Sequence, residues 1–158
     1  MKFLTRFFKT DSGTTDTPGT ARPTGRAAAP ATTTARGAAA EQRALEFLQR
    51  QGLTLVTRNY RTPGRGGGEI DLVLTAPDGT LVFVEVRQRG HRNFGGAAAS
   101  IDARKQRRIA LAARHFLLRH PQYAQAPCRF DAVLLDGSRS QATPVWLQAA
   151  FMADGYGY

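Results

Sequence analysis

Two short apolar runs, each interrupted by an acidic residue, constrain this chain more than any other feature of its sequence. Residues 69–74 read EIDLVL and residues 81–87 read LVFVEVR, and their β-branched residues are typical of buried strands. Pro77-Asp78-Gly79 lies between them and predicts a hairpin turn. A carboxylate inside such a run costs several kcal/mol unless a cation or hydrogen bonds compensate it. Asp71 and Glu85, on neighbouring strands, therefore indicate a metal site.

The length of the turn decides whether the two carboxylates meet. A three-residue loop with Gly79 in the left-handed region places Asp71 opposite Glu85 on one face of the hairpin. A two-residue Asp78-Gly79 loop shifts the pairing by one residue and sends the two side chains to opposite faces. Pro77 suits the first corner of a type I turn and favours the longer loop. We therefore expect the two carboxylates to lie side by side.

The overall length and composition predict one folded domain behind a basic arm. The chain has 158 residues, enough for a single domain with a core that needs no disulfide. Residues 10–36 are mostly Thr, Ala, Pro and Gly, so we expect residues 1–36 to form a disordered basic N-terminal arm and residues 37–158 to form the folded domain. The single cysteine, Cys128, excludes an internal disulfide and a multi-cysteine zinc site.

The charge of the chain favours a polyanionic partner. Lysine and arginine number 22 against 12 acidic residues, and the formal net charge is +10. The excess is not confined to the arm, because residues 37–158 alone are basic, which favours nucleic acid as a partner. Generic surface charge in an arginine-rich proteome is the alternative. No run approaches the roughly 20 apolar residues of a membrane span, and we expect a cytoplasmic protein with no stable membrane association.

Periodicity predicts an α/β domain with the element order αβββαββ. Gly52 and Pro121 are the expected stop signals of two helices, and Ser100 is the expected N-cap of the second. The elements outside the hairpin are a helix over residues 38–51, a strand over 53–60, a helix over 100–120, and strands over 128–135 and 145–147. The glycine-rich segment 61–67 is expected to be a loop.

Both predicted helices carry polar residues on their apolar stripes. Glu41 shares a stripe with Leu45 and Leu48, which makes it a third acid directed inward. The alternative is an acid favoured near a helix N-terminus by the macrodipole. Lys105 and Gln106 extend the stripe of the second helix by one turn, so they are expected to face the site.

Four segments of the sequence resemble the YraN-like family of uncharacterised bacterial proteins, within the PD-(D/E)xK superfamily. They are Gly68-Glu69-Ile70-Asp71-Leu72-Val73, Leu81-Val82-Phe83-Val84-Glu85-Val86, Ile101-Asp102-x-Arg104-Lys105-Gln106 and Cys128-Arg129-Phe130-Asp131. The resemblance covers about residues 37–151. It implies a restriction-endonuclease-like domain, with a central mixed sheet flanked by helices, related to Holliday-junction resolvases. It also suggests DNA as the nucleic-acid partner and a homodimer.

The resemblance implies a role for each residue at the hairpin. By position, Asp71 and Glu85 would be metal ligands, Glu41 would be the helix-borne acid near the site, and Arg87 would occupy the position of the superfamily lysine. The expected activity is Mg²⁺-dependent hydrolysis of phosphodiester bonds by an endonuclease, with branched DNA as a candidate substrate. The hard oxygens available for Mg²⁺ are the two carboxylates and the Val86 carbonyl.

The arginine at position 87 departs from the pattern of the superfamily. Relatives of this type read Glu-Val-Lys where this chain reads Glu85-Val86-Arg87. Arginine binds phosphate through its planar fork but cannot abstract a proton, because its pKa lies above about 12. Three hypotheses follow: Arg87 is an electrostatic clamp in a slow nuclease, Lys105 supplies the missing ammonium, or the site binds nucleic acid or a protein partner without cutting.

Basic and aromatic residues around the predicted site are candidates for nucleic-acid contacts. Arginines in loops and on the second helix would neutralise phosphates, and an aromatic ring between them would stack on an unpaired base. The candidates are Arg61, Arg65, Arg89, Arg92, Phe94, Arg104 and Arg108. A solvated basic surface is the alternative for each of them. Asp131, on the predicted fourth strand, is a candidate for a residue that contacts the metal ligands without contacting the metal itself.

Overall fold

A central hairpin of two buried strands organises the fold in the computed structural model of this chain. The structure describes residues 33–64, 67–89, 101–136 and 143–153, with the Arg89 side chain left out. The helices are α1 (Thr33–Arg50) and α2 (Ala103–Arg119), and the strands are β1 (Thr54–Arg61), β2 (Glu69–Thr75), β3 (Leu81–Arg89), β4 (Cys128–Asp136) and β5 (Val145–Phe151). This order of helices and strands is the predicted one. A 3₁₀ turn, Pro121–Tyr123, follows α2.

The five strands form one mixed sheet in the order β1-β2-β3-β4-β5. Strands β3 and β4 are parallel, and the three other pairs are antiparallel. The parallel pair needs a crossover, and α2 supplies it. The predicted α/β domain with a central mixed sheet is therefore confirmed.

The two helices cover opposite faces of the sheet. One core cluster joins α1 to the sheet through Ala44, Leu45 and Leu48, and a second joins α2 through Ile109, Ala113 and Phe116. Strands with both faces covered require apolar residues at successive positions, which explains the continuous runs of β2 and β3. Within the described residues, no helix is long and apolar enough to span a membrane.

The turn of the hairpin is the predicted three-residue loop. Gly79 has a φ of 85°, in the left-handed region, and its N–H donates to the Ala76 carbonyl at 2.9 Å. The pairing of β2 with β3 runs from Thr75↔Leu81 to Leu72↔Val84. Continued by one residue, this register places Asp71 opposite Glu85. The turn and the paired part of the hairpin thus follow the predicted register, and Asp71 and Glu85 lie one residue beyond its last pair.

Close backbone contact fixes α2 over the beginning of β2. A Cβ atom on Gly68 would overlap the backbone carbonyl of Arg108, so only glycine allows this approach. The Arg108 guanidinium also donates to the Gly67 carbonyl, at 3.1 Å from Nε and 2.9 Å from Nη2. These contacts determine which α2 side chains reach the hairpin.

Two helix boundaries differ from prediction. Helix α1 begins at Thr33 rather than at residue 38, because the alanine-rich segment before Glu41 favours helix and extends it. Residues 33–36 of the predicted arm are therefore helical, and the rest of the arm lies outside the described residues. The N-cap of α2 is Asp102, whose Oδ1 accepts from the Lys105 N–H at 2.8 Å. The predicted cap, Ser100, lies outside the described residues.

Candidate active site

The central hairpin opens at the end away from its turn, and Asp71 lies at the opening. Pairing of β2 with β3 extends as far as Leu72↔Val84. Beyond it, the Val86 N–H donates to Asp71 Oδ2 at 2.7 Å. In an uninterrupted antiparallel ladder this N–H would bond to a main-chain carbonyl of β2, so the Asp71 side chain replaces a ladder hydrogen bond. The carboxylate is thereby fixed against the backbone of β3.

Glu85 is a buried carboxylate with cations on both of its oxygens. Its side chain is only 4% exposed, on the face of the sheet that α2 covers. Lys105 Nζ, from α2, lies 3.0 Å from Oε2, and Arg87 Nη1 lies 3.6 Å from Oε1. Lys105 approaches Oε2 at ion-pair distance but without hydrogen-bond geometry, and Oε2 has no other hydrogen-bond partner among the described residues. Oε2 is therefore a buried oxygen with unused capacity for a ligand.

The environment of Asp71 raises the pKa of its carboxyl from the ordinary value of 3.8 to about 7. Burial is the largest cause, and the negative charge of Glu85 is the second. The Val86 N–H and the Lys105 ammonium act in the opposite direction, and Glu41 adds a further increase. The paired carboxyls therefore retain a proton on Asp71 below about pH 7 when no metal is bound.

The two other polar residues predicted at the site are arranged differently. Glu41 is half-buried on α1, close enough to raise the pKa of Asp71. Within the described residues, no three acidic, histidine or cysteine side chains are grouped so that they could hold a metal ion. Gln106 donates its side-chain amide to the Ile101 carbonyl at 2.8 Å and stabilises the beginning of α2. The close arrangement consists of Asp71, Glu85 and Lys105, with Arg87 beside them.

Some of the arginines predicted to contact nucleic acid are already bonded to other residues of the fold, and others are exposed or lie outside the described residues. Arg61 is paired with Glu69 through Nε and Nη2, at 2.9 and 2.7 Å, and Arg108 is held by the Gly67 carbonyl. Arg104 is exposed on α2. Arg65, Arg92, Phe94 and the side chain of Arg89 lie outside the described residues.

Asp131 belongs to the opposite face of the sheet from Glu85. It pairs with Val84, which packs in the α1 cluster, whereas Glu85 pairs with Ala132 in the α2 cluster. Its fully buried carboxylate accepts hydrogen bonds at 2.9–3.1 Å from Arg129, the Trp146 indole and the Ala149 N–H. Asp131 therefore ties β4 to β5, and the hypothesis that it supports the site is wrong.

Sequence reasoning missed the hydrogen bond from Val86 to Asp71. The expected hairpin register could have predicted this bond. A residue opposite Glu85 on β2 is close to the main-chain N–H of Val86, the next residue on β3. The same reasoning left open whether Arg87 or Lys105 supplies the cation of the site. Both cations are close to Glu85, and the shorter distance belongs to Lys105.

The donor set of the site fits a hard divalent cation such as Mg²⁺. Asp71 and Glu85 supply carboxylate oxygens at the open end of the hairpin, and the Val86 carbonyl is a third oxygen on the strand that Asp71 contacts. Oε2 of Glu85 is a buried acceptor without a hydrogen bond, as expected of an atom that a cation could use. Hard oxygen donors of this kind suit Mg²⁺ better than softer metals.

Comparison with known proteins identifies the family. The model of "Uncharacterised protein family UPF0102" matches residues 40–135. The chain is 63% identical over 129 residues to a UPF0102 protein of Paracidovorax citrulli (strain AAC00-1), covering 82% of this chain and 91% of the relative. It is also 63% identical over 126 residues to a UPF0102 protein of Acidovorax sp. (strain JS42), covering 79% and 91%. The resemblance found in the sequence is thus confirmed, and the chain belongs to the UPF0102, or YraN-like, family.

Proposed function

We propose that this protein is a Mg²⁺-dependent endonuclease that hydrolyses phosphodiester bonds of nucleic acid at the open end of the central hairpin. The observation that carries the proposal is the pair of half-buried Asp71 and buried Glu85, with Lys105 Nζ 3.0 Å from Glu85 Oε2. Two carboxylates held on neighbouring strands and an ammonium held on the helix that packs over them make up the chemistry that metal-assisted hydrolysis requires. DNA is the proposed substrate class, and branched DNA is the first form to test.

Each side chain of the site has a distinct part in this proposal. Asp71, Glu85 and the Val86 carbonyl would hold the metal, and the hydrogen bond from Val86 orients the Asp71 carboxylate. A bound Mg²⁺ would supply positive charge to the scissile phosphate and lower the pKa of a water molecule. Lys105 balances the charge of Glu85, and its ammonium would orient a water molecule.

Arg87 binds substrate in this proposal rather than transferring protons. Its side chain is 43% exposed, so its guanidinium reaches the surface while remaining 3.6 Å from Glu85 Oε1. An arginine in this position can make two parallel hydrogen bonds to a phosphate. The amine that the superfamily pattern places on this strand is supplied by α2 instead.

Cleavage assays with matched variants test the proposal. Purified protein with Mg²⁺ should cut at least one member of a panel of linear, single-stranded and four-way DNA, and Asp71→Asn or Glu85→Gln should abolish cutting. Lys105→Met should lower the rate about 10²–10³-fold, the range for loss of one preorganised electrostatic donor, and Arg87→Lys should retain most of the activity. Glu46→Gln, an exposed acid of α1, is the control and should cleave normally.

Two results would contradict the nuclease proposal. One is a protein that binds DNA but cuts no substrate with Mg²⁺ or Mn²⁺. The other is cleavage that survives in Asp71→Asn, which would indicate a contaminating enzyme. The first result would favour the second candidate function, a non-catalytic nucleic-acid-binding or adaptor protein, which the arginine at position 87 favours.

A further inference from the structure

The outer face of α2 carries a row of exposed arginines. Arg104, Arg107, Leu111, Arg114 and Leu118 follow one another at spacings of three or four residues, so they share one side of the helix. All five are exposed, and the two leucines are 51% and 73% exposed. The side chains that α2 buries lie on the other side of the helix. Among the described residues, none of the five belongs to a core cluster, and Arg107 borders a pocket that it shares with Phe151 and Met152.

The charge of this row is not compensated within the fold. Helix α2 contains six basic residues and no acidic one. The ion pairs of the described residues use Arg61, Arg87, Lys105 and Arg129, and Arg108 bonds to the Gly67 carbonyl. Arg104, Arg107 and Arg114 take part in none of these contacts. Three guanidinium groups on one rigid face are thus available to an anionic ligand.

We propose that Arg104, Arg107 and Arg114 form a track that binds the phosphate backbone of nucleic acid along the outer face of α2, the helix whose inner side brings Lys105 to the candidate active site. The inference rests on the proposed function, since it concerns the substrate of the same site. From Arg104 to Arg114 the helix rises about 15 Å, a length over which one DNA strand carries about four phosphates. Lys105 belongs to the same helix and lies at Glu85, so the track and the site are parts of one rigid unit.

Charge selects the occupant of this face. A second copy of the chain docked α2 against α2 would bring two helices of six cations each together, which is unfavourable. A phosphate backbone instead neutralises each guanidinium and releases the counterions condensed on the nucleic acid. Arg107 and Arg114, which sequence reasoning did not select, therefore join Arg104 as substrate contacts. Arg61 and Arg108, which it did select, are used within the fold.

Salt-dependent binding in EDTA tests the track without any cleavage. The first probe is a labelled linear DNA duplex, and the second is a labelled four-way junction with arms of the same length. Each probe is titrated with protein at 50–200 mM salt. The triple variant Arg104→Gln/Arg107→Gln/Arg114→Gln should reduce the slope of log K against log salt by about 2.7, at about 0.9 per phosphate contact. Between 50 and 200 mM salt, wild-type affinity should then fall about 40-fold more than that of the variant.

The control removes the same charge from the other side of the sheet. Arg36, Arg50 and Arg58 are exposed, the first two on α1 and the third hydrogen-bonded to Gln42 of α1. The triple Arg36→Gln/Arg50→Gln/Arg58→Gln should leave the salt slope within one contact of the wild type. The triple variant Arg104→Lys/Arg107→Lys/Arg114→Lys retains the net charge of the protein. It should keep the wild-type slope of log K against log salt.

Equal effects of the two glutamine triples would overturn the track, because net charge alone would then explain binding. An unchanged slope in the α2 triple, with a thermal midpoint like that of the wild type, would overturn it as well. Failure of the nuclease proposal has a different signature. A protein that binds through α2 but never cuts would refute the activity alone, and one that cuts normally without the arginines would refute the track alone.

Discussion

Replacing Asp71 with asparagine should stabilise the metal-free protein at pH 8 but much less at pH 5. The pKa of Asp71 is raised to about 7 in the folded state by burial and by the charge of Glu85, against 3.8 for an ordinary aspartate. The folded state therefore binds this proton more tightly than the unfolded state does. The contribution of Asp71 to stability is intact in acid, falls as pH rises above about 4, and is lost above about 7.

The size of the effect follows from the difference between the two pKa values. Each pKa unit corresponds to about 1.4 kcal/mol, so complete transfer of the difference would cost about 4 kcal/mol at pH 8. Asp71 keeps some exposure to solvent, which screens part of this cost, and we expect about 2–4 kcal/mol. Asparagine is neutral at both pH values and can still accept the Val86 N–H, so it avoids the cost.

Urea unfolding in EDTA at pH 5, 6, 7 and 8 would measure the effect. The difference in free energy of unfolding between Asp71→Asn and the wild type should grow in favour of the variant across this range. Asp78→Asn is the matched control, because the pKa of Asp78 is lowered by the hydrogen bond from the Thr80 N–H. A lowered pKa gives stability that is lost only in acid, so this control should be flat between pH 5 and 8.

A constant difference between Asp71→Asn and the wild type from pH 5 to pH 8 would refute the reasoning, because Asp71 would then be ionised throughout. Added Mg²⁺ gives a second readout. It should raise wild-type stability at pH 8 more than at pH 6, since the proton and the metal compete for the same oxygens. Asp71→Asn should show little of this gain.

Substitutions that test the packing of the sheet are simpler. Gly68→Ala should lower the free energy of unfolding by about 1–3 kcal/mol, because its methyl group would overlap the Arg108 carbonyl; Gly37→Ala, in open space on α1, should instead raise it by about 0.5–1 kcal/mol. Equal effects in urea unfolding would contradict the close approach of α2 to β2. Asp131→Asn should cost about 3 kcal/mol by disrupting a buried, paired carboxylate, and a loss below about 1 kcal/mol would show that the network between β4 and β5 contributes little.

Local chemistry made the central hairpin predictable from the sequence. Pro77-Asp78-Gly79 specifies one turn type, the turn type specifies the register, and the register brings Asp71 and Glu85 to the same end of the hairpin. The order of helices and strands follows in the same way from hydrophobic periodicity. Each of these predictions depends on residues within one hairpin or one helix.

Contacts that depend on the register of distant strands were not predictable in this way. Asp131 faces α1 because of its alignment with Val84 across a parallel pair formed around α2. Its hydrogen bond to the Ala149 N–H depends on an irregularity in β5, where Ala149 has a φ of 49°. Likewise, Arg61 is paired with Glu69 because the two residues are opposite each other in β1 and β2. A sequence pattern gives the faces of one strand but not its alignment with a distant partner.

The position of α2 also explains why an arginine is compatible with the proposed chemistry at position 87. A lysine there would have to neutralise Glu85 and contact the substrate from one strand. In this chain the two tasks are divided: Lys105 lies 3.0 Å from Glu85 Oε2, while Arg87, more exposed, extends toward the surface. The approach of α2 that brings Lys105 to Glu85 depends on Gly68, which admits the helix backbone. The amine at the proposed site therefore depends on the packing of α2, and Gly68→Ala should reduce cleavage by displacing Lys105 even where the protein remains folded.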